Sequence, residues 1–225
     1  MWVKICGTTT LEDAQLAADA GADAIGFVFA ESKRRVTPDQ VAPITAALAN
    51  GIEKVGVFHS DIADGIIAGA REAGLSAIQI HSAYNADTVR LLRRELGPEY
   101  KLLQVITCPV ETLNEDKLRA ELSQALADRE LWGILLDASR GGISGGTGQS
   151  FNWSDVAKIL DEVWPDRGSG SGMKLILAGG LRPENVREAI AALRPDGVDV
   201  VSGVERMPGV KDPDRVREFV ARARM

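Results

Sequence analysis

The chain has 225 residues, 45% hydrophobic and 26% charged, the balance of an ordinary globular protein. A net charge of −6 argues against a nucleic-acid binder, which needs a basic face, and 5% aromatic residues argue against stacking platforms for bases. Two cysteines far apart give no disulfide framework, no apolar run approaches a membrane span, and the N-terminus lacks the apolar core of a signal peptide. A cytoplasmic protein with no membrane partner is therefore expected.

Along the chain, an apolar β-like run is followed eight times by a helix-like stretch. The runs lie at 3–6, 24–29, 54–58, 77–81, 102–106, 133–136, 174–177 and 198–201. They are near-continuously apolar, as parallel strands buried on both faces are. Between them the spacing is helical: Ile62, Ile66, Ala70 and Ala73 are predicted to share a face, as are Val156, Ile159, Leu160 and Val163, and Val186, Ala189, Ile190 and Leu193. Thr37-Pro38-Asp39-Gln40 and Asp212-Pro213 carry an oxygen acceptor at the N-cap and a proline where no N–H is needed, whereas Gly21, Gly74 and Gly97 stop helices.

Eight β-then-α units predict an α/β protein built as one (β/α)₈ TIM barrel, a single domain over 1–225. The rival is an open doubly wound sheet, but the turn Cys6-Gly7-Thr8-Thr9-Thr10 lacks the G-x-G-x-x-G dinucleotide fingerprint. The linker-like stretch Arg167-Gly168-Ser169-Gly170-Ser171-Gly172 falls before the seventh strand, on the face where loops serve stability, and is assigned no chemistry.

In a barrel the loops that follow strands carry the chemistry. Cys6 closes the first strand, and Lys4 lies on the same side by alternation, so some lowering of the thiol pKa is expected; the bland reading is a buried thiol. Asp137 follows Trp132-Gly133-Ile134-Leu135-Leu136, where a carboxylate is costly to bury unless it is used, paired or capping a turn. Gly145, Gly146, Thr147 and Gly148 fall in a glycine-rich loop that reads as a lid, a substrate loop or a plain connection. Gly179 and Gly180 after the seventh strand, with Ser202 and Gly203 after the eighth, suit a phosphate held by backbone N–H groups, and otherwise make only tight turns. Arg34, in a cationic loop, could clamp a carboxylate or simply face solvent. His59, His81, Cys6 and Cys108 all close strands, yet no metal-ligand spacing joins them and no metal is expected.

The chain resembles the phosphoribosylanthranilate isomerase family of tryptophan biosynthesis. The resemblance runs through Val3-Lys4-Ile5-Cys6-Gly7, Gly21-Ala22-Asp23-Ala24-Ile25-Gly26-Phe27-Val28-Phe29, Ser32-Lys33-Arg34, Leu135-Leu136-Asp137, Gly145-Gly146-Thr147-Gly148, Ala178-Gly179-Gly180-Leu181 and Ser202-Gly203-Val204-Glu205. It implies a cofactor-free Amadori rearrangement of a small phosphorylated substrate by a monomer or homodimer. It further implies that Asp137 is the general acid, Cys6 the general base and Arg34 the carboxylate-binding residue. The phosphate would lie at Gly179, Gly180, Ser202 and Gly203, with His81 a possible substrate contact. The chain departs from the family pattern at Ser82-Ala83-Tyr84, Val201, Thr107-Cys108 and Gln149. Those departures leave room for an isomerase of another phosphorylated aminosugar, or for a non-catalytic phosphometabolite-binding barrel.

Overall fold

The computed structural model describes residues 1–140, 143–144, 150–167 and 172–225. Eight parallel strands close into a barrel: β1 (Trp2–Ile5), β2 (Ala24–Val28), β3 (Glu53–Phe58), β4 (Ala77–Ile80), β5 (Lys101–Pro109), β6 (Gly133–Arg140), β8 (Lys174–Leu177) and β9 (Gly197–Val200). Each strand pairs with its neighbours in chain order, and β9 pairs with β1 to close the ring. The short β7 (Ile143–Ser144) runs back along the end of β6, and β10 (Glu205–Met207) with β11 (Val210–Lys211) forms a small antiparallel ribbon after β9. These three short pieces carry too few residues for an apolar pattern to announce them.

The helices are α1 (Leu11–Asp19), α2 (Pro38–Ala47), α3 (Ala63–Glu72), α4 (Ala86–Leu96), α5 (Glu115–Leu126), α6 (Trp153–Val163), α7 (Val186–Leu193) and α8 (Pro213–Ala223). Their ends obey the expected caps. The Thr37 N–H donates to Gln40 Oε1 at 3.0 Å, and Asp212 Oδ1 accepts from the N–H groups of Asp214 and Arg215 at 3.0 and 3.1 Å. Gly21, Gly74 and Gly97 all take positive φ at helix ends.

Ile62 corrects one expectation. It is 67% exposed, because it sits at the N-cap in extended backbone and so falls off the helical wheel; the buried face of α3 starts at Ala63 and continues through Ile66 and Ala70. Val163 and Ile190 are half-buried, whereas Val156, Ile159, Leu160, Val186, Ala189 and Leu193 are buried as expected.

Strand alternation divides the apolar residues in two. One set, including Ile25, Ile78, Leu102 and Leu136, points outward and packs under the helices. The other, including Val55, Leu103, Leu135 and Ile176, fills the barrel interior, with Trp2 and Trp132 packed against it, their rings 5.5 Å apart. On β1 the inward positions are Trp2, Lys4 and Cys6: an aromatic floor, a buried cation, then the thiol at the mouth. Each step up that strand moves from packing toward chemistry.

Candidate active site

The mouth opens into a cavity of about 660 Å³. Cys6, Arg34, His81, Asp137, Gly179 and Ser202 are among the residues that line it. The structure thus brings together representatives of every site group expected from the described sequence. The expected lid residues Gly145, Gly146, Thr147 and Gly148, and Gln149 beside them, lie outside the described residues.

Cys6 and Asp137 stand on opposite parts of the ring, since β6 is separated from β1 by β8 and β9 on one side and by β2 to β5 on the other. Asp137 pairs in register with Thr107 of β5 and is buried. The thiol stands next to β2, where a Cβ on Gly26 would come within 2.5 Å of Cys6 Sγ and 2.8 Å of Lys4 Cε. Glycine at that position is what lets a lysine and a cysteine share the interior.

Lys4 does lie beside Cys6, as alternation predicts. Its Nζ donates to Gln79 Oε1 at 2.6 Å and to Asp199 Oδ2 at 3.0 Å, all three residues buried. Burial works against its charge, but Asp199 and Cys6 outweigh that effect and hold the ammonium above its usual range. The expected lowering of the thiol is corrected. Burial pushes Cys6 up and the Asp199 carboxylate adds to this, so the pull of Lys4 and Lys211 toward the thiolate does not win in the ligand-free protein.

Arg34 is not a free cation in a solvated loop. It forms a bidentate ion pair with Glu205, Nε to Oε1 at 2.8 Å and Nη2 to Oε2 at 2.6 Å, which raises the guanidinium pKa. Glu205 is in turn held by Lys211, whose Nζ lies 3.1 Å from Oε1 and 2.5 Å from the carbonyl oxygen of Cys6. Sequence reading missed Glu205, Lys211, Asp199 and Gln79. Glu205, Lys211 and Gln79 had a visible signal, in the matching blocks Ser202-Gly203-Val204-Glu205, Pro208-Gly209-Val210-Lys211-Asp212 and Ile78-Gln79-Ile80-His81, but no role was read from it; Asp199 had none.

At the other side of the mouth, Gly179 and Gly180 both have positive φ, 81° and 67°. A Cβ on Gly179 would fall 2.2 Å from the Ala138 nitrogen, and one on Gly203 would fall 1.9 Å from the Leu181 oxygen. Glycine is therefore required for the two loops to pack against β6 and against each other. The N–H groups of Gly179, Gly180, Ser202 and Gly203 make no hydrogen bond to a described residue, and Ser202 opens a 3₁₀ turn, Ser202–Val204. Open backbone donors in glycine-rich turns are of the kind that suits an anion.

The strand-end histidines and cysteines separate. His81 lines the cavity and its ring stands 5.7 Å from that of His59; burial, His59 and Lys4 together lower its pKa to about 4, so it is neutral at pH 7. Cys108 faces the other way. Alternation along β5 gives Thr107 to the cavity and packs Cys108 into the outer core, where burial raises its pKa. Among the described residues no group of three or more His, Cys, Asp or Glu is placed to hold a metal ion.

Of the departures from the family pattern, Ser82, Ala83, Tyr84, Thr107 and Val201 line the cavity. Tyr84 is tied through its hydroxyl to Asp128 at 2.8 Å, and the Ser82 carbonyl accepts from Gln104 Nε2 at 2.8 Å. No described helix is long and apolar enough to cross a membrane.

Residues 3–222 match the family described as N-(5'phosphoribosyl)anthranilate (PRA) isomerase. The N-(5'-phosphoribosyl)anthranilate isomerase of Trichlorobacter lovleyi is 37% identical over 223 residues, covering 99% of this chain and 97% of that protein. A phosphoribosyl anthranilate isomerase crystallised with reduced 1-(o-carboxyphenylamino)-1-deoxyribulose 5-phosphate superposes with a TM-score of 0.78 at 34% identity, over 100% of this chain and 98% of that one. Monomers generated from the dimeric enzyme of Thermotoga maritima superpose with a TM-score of 0.79 at 34% identity, again over 100% and 98%.

Proposed function

The chain belongs to the N-(5'-phosphoribosyl)anthranilate isomerase family, and from that premise we propose a division of labour around its cavity. The activity is the isomerisation of N-(5'-phosphoribosyl)anthranilate to 1-(2-carboxyphenylamino)-1-deoxyribulose 5-phosphate, in tryptophan biosynthesis. One barrel domain over 1–225 carries it, with no cofactor, in the cytoplasm, as a monomer or homodimer. The observation that carries the assignment of roles is that Cys6 and Asp137 enter one cavity from separated strands, with Arg34 and the glycine loops lining the same space.

Asp137 donates a proton to the furanose ring oxygen, and the ring opens to a protonated Schiff base. Cys6 removes the proton from C2, giving an enolamine. That enolamine takes a proton at C1 and loses the one on the C2 hydroxyl, which completes the aldose-to-ketose change. Acid and base must differ in environment for this exchange, and a buried carboxylate opposite a thiol flanked by cations meets that need. The free-enzyme thiol is held protonated by burial, but the Schiff base brings a further positive charge into the cavity. Added to Lys4 and Lys211, it favours the thiolate at the step that uses it. Arg34 takes the anthranilate carboxylate, and the N–H groups of Gly179, Gly180, Ser202 and Gly203 take the phosphate. His81, neutral at pH 7, can contact substrate as a hydrogen-bonding group without adding charge.

Turnover of phosphoribosylanthranilate, followed by loss of its fluorescence, tests these roles. Cys6→Ala and Asp137→Asn should each lower kcat by about a thousandfold, within the range general acid or base catalysis supplies. Turnover like that of the unaltered protein in either variant would remove the corresponding assignment.

A further inference from the structure

Behind the cavity wall, two charged residues that do not line the cavity are joined to one that does. Glu205 and Lys211 belong to the ribbon β10–β11, whereas Arg34 comes from the loop after β2. Both carboxylate oxygens of Glu205 are committed to Arg34, and Oε1 also accepts from Lys211 Nζ at 3.1 Å and from the Gly209 N–H at 3.2 Å. Glu205 is almost wholly buried and Lys211 is buried. The arrangement fixes one edge of the guanidinium, Nε and Nη2, and leaves Nη1 without a bond to any described residue.

Charge counting shows why the lysine belongs there. Arg34 with Glu205 alone would be a neutral pair and a poor receptor for an anion. Lys211 in its ammonium form, held by Glu205 against burial that lowers its pKa, restores one net positive charge to the cluster, while only Arg34 among the three lines the cavity. Local geometry supports the same reading. A Cβ on Gly7, which has φ of 71°, would lie 2.7 Å from Arg34 Cδ, so the chain is shaped to admit this arginine at this place. Thr9 Oγ1 donates to the Gly209 carbonyl at 2.9 Å and pins the ribbon to the loop after β1.

We propose that Glu205 and Lys211 are positioning residues for the carboxylate end of the substrate: Glu205 sets the plane of the Arg34 guanidinium, and Lys211 keeps the cluster cationic. The proposal rests on the reading of Arg34 as the carboxylate-binding residue, and its test separates the two. Glu205→Gln keeps size and hydrogen-bonding capacity but weakens the grip on Arg34, while Lys211→Met leaves the Arg34–Glu205 pair neutral.

Each variant, with Arg34→Ala, is assayed on phosphoribosylanthranilate and on N-(5'-phosphoribosyl)aniline, which lacks the carboxylate. Glu205→Gln and Lys211→Met should raise KM for the anthranilate compound about tenfold, the size of one charge-assisted hydrogen bond, and any fall in kcat that Lys211→Met causes through Cys6 should be the same on both substrates. KM for the aniline compound should stay as in the unaltered protein. Because both substrates meet the same protein sample, a partly misfolded variant would depress both alike and cannot imitate that split. If Arg34→Ala raises KM for the anthranilate compound alone while both ribbon variants leave it unchanged, the positioning roles are wrong and the role of Arg34 stands. If Arg34→Ala does not discriminate between the substrates, the reading of Arg34 itself fails. Equal rises in KM on both substrates in the ribbon variants would make their role structural and overturn the proposal.

Discussion

On the roles proposed above, the two ends of the cavity recognise negative charge by opposite means. At the phosphate end the donors are backbone N–H groups, aimed by glycines and left open to the ligand. At the carboxylate end the donor is a side chain, already engaged by a buried counter-ion that is itself engaged by a second cation. A backbone donor is placed by the fold and needs only room. An arginine brings several rotatable bonds, and holding it costs conformational entropy unless a partner fixes it beforehand. The phosphate end should therefore be sensitive to volume and the carboxylate end to charge.

Among effects on KM, the largest should come from Gly203→Ala. Its Cβ would meet the backbone oxygen of Leu181 at 1.9 Å, so the loops after β8 and β9 must part. KM should rise by roughly a hundredfold, as expected of a misplacement near one ångström. Inhibition by inorganic phosphate should weaken in parallel, which a titration will show. A Gly203→Ala protein with unchanged phosphate inhibition would break the claim that this end works by close backbone approach.

A charge change at Lys4, beside Cys6, should register in stability as well as in turnover. Lys4→Met would strand Asp199 as a buried carboxylate beside Gln79, and the cost should be about 3–5 kcal/mol in urea denaturation. Adding Asp199→Leu should recover most of that loss, because removing both charges avoids the unpaired one. Failure to recover would mean that the pair does more than cancel its own charge.

A further effect concerns pH. His81 titrates near 4 in the folded protein against an ordinary value of 6.5, so the unfolded chain binds the proton first as pH falls. Stability should decline as pH drops from about 6.5 to about 4, with no contribution from this group above that window. In His81→Asn the slope of stability against pH over that window should be shallower. An unchanged slope would show that His81 is not the residue responsible.

How much of this could be read from the sequence depends on how far apart the interacting residues are. Strands such as Leu102–Ile106 within β5 announce themselves by continuous apolar character, and Cys6 and Asp137 stand out because each ends such a run. Alternation correctly placed Lys4 beside Cys6 but could not weigh burial, which raises the thiol pKa despite the lysine. Cys108 was counted among residues that close strands because β5 was expected to stop at Ile106; it continues to Pro109, and the side chain turns outward. The engagement of Arg34 was illegible because Glu205 lies 171 positions away and the strand that carries it is three residues long.

That distance bears on how the molecule is assembled. Arg34 to Glu205, Lys4 to Asp199 and Lys211 to the Cys6 carbonyl span 171, 195 and 205 positions, so each closes nearly the whole chain into a loop. Contacts of such separation form late, because their loop entropy must be met before they return any stabilisation. On a ribosome, β1 and β2 emerge long before the ribbon that orders the arginine beside them. The first strand made is among the last places finished, and a nascent chain ending before residue 205 holds Cys6 but not the arginine's anchor.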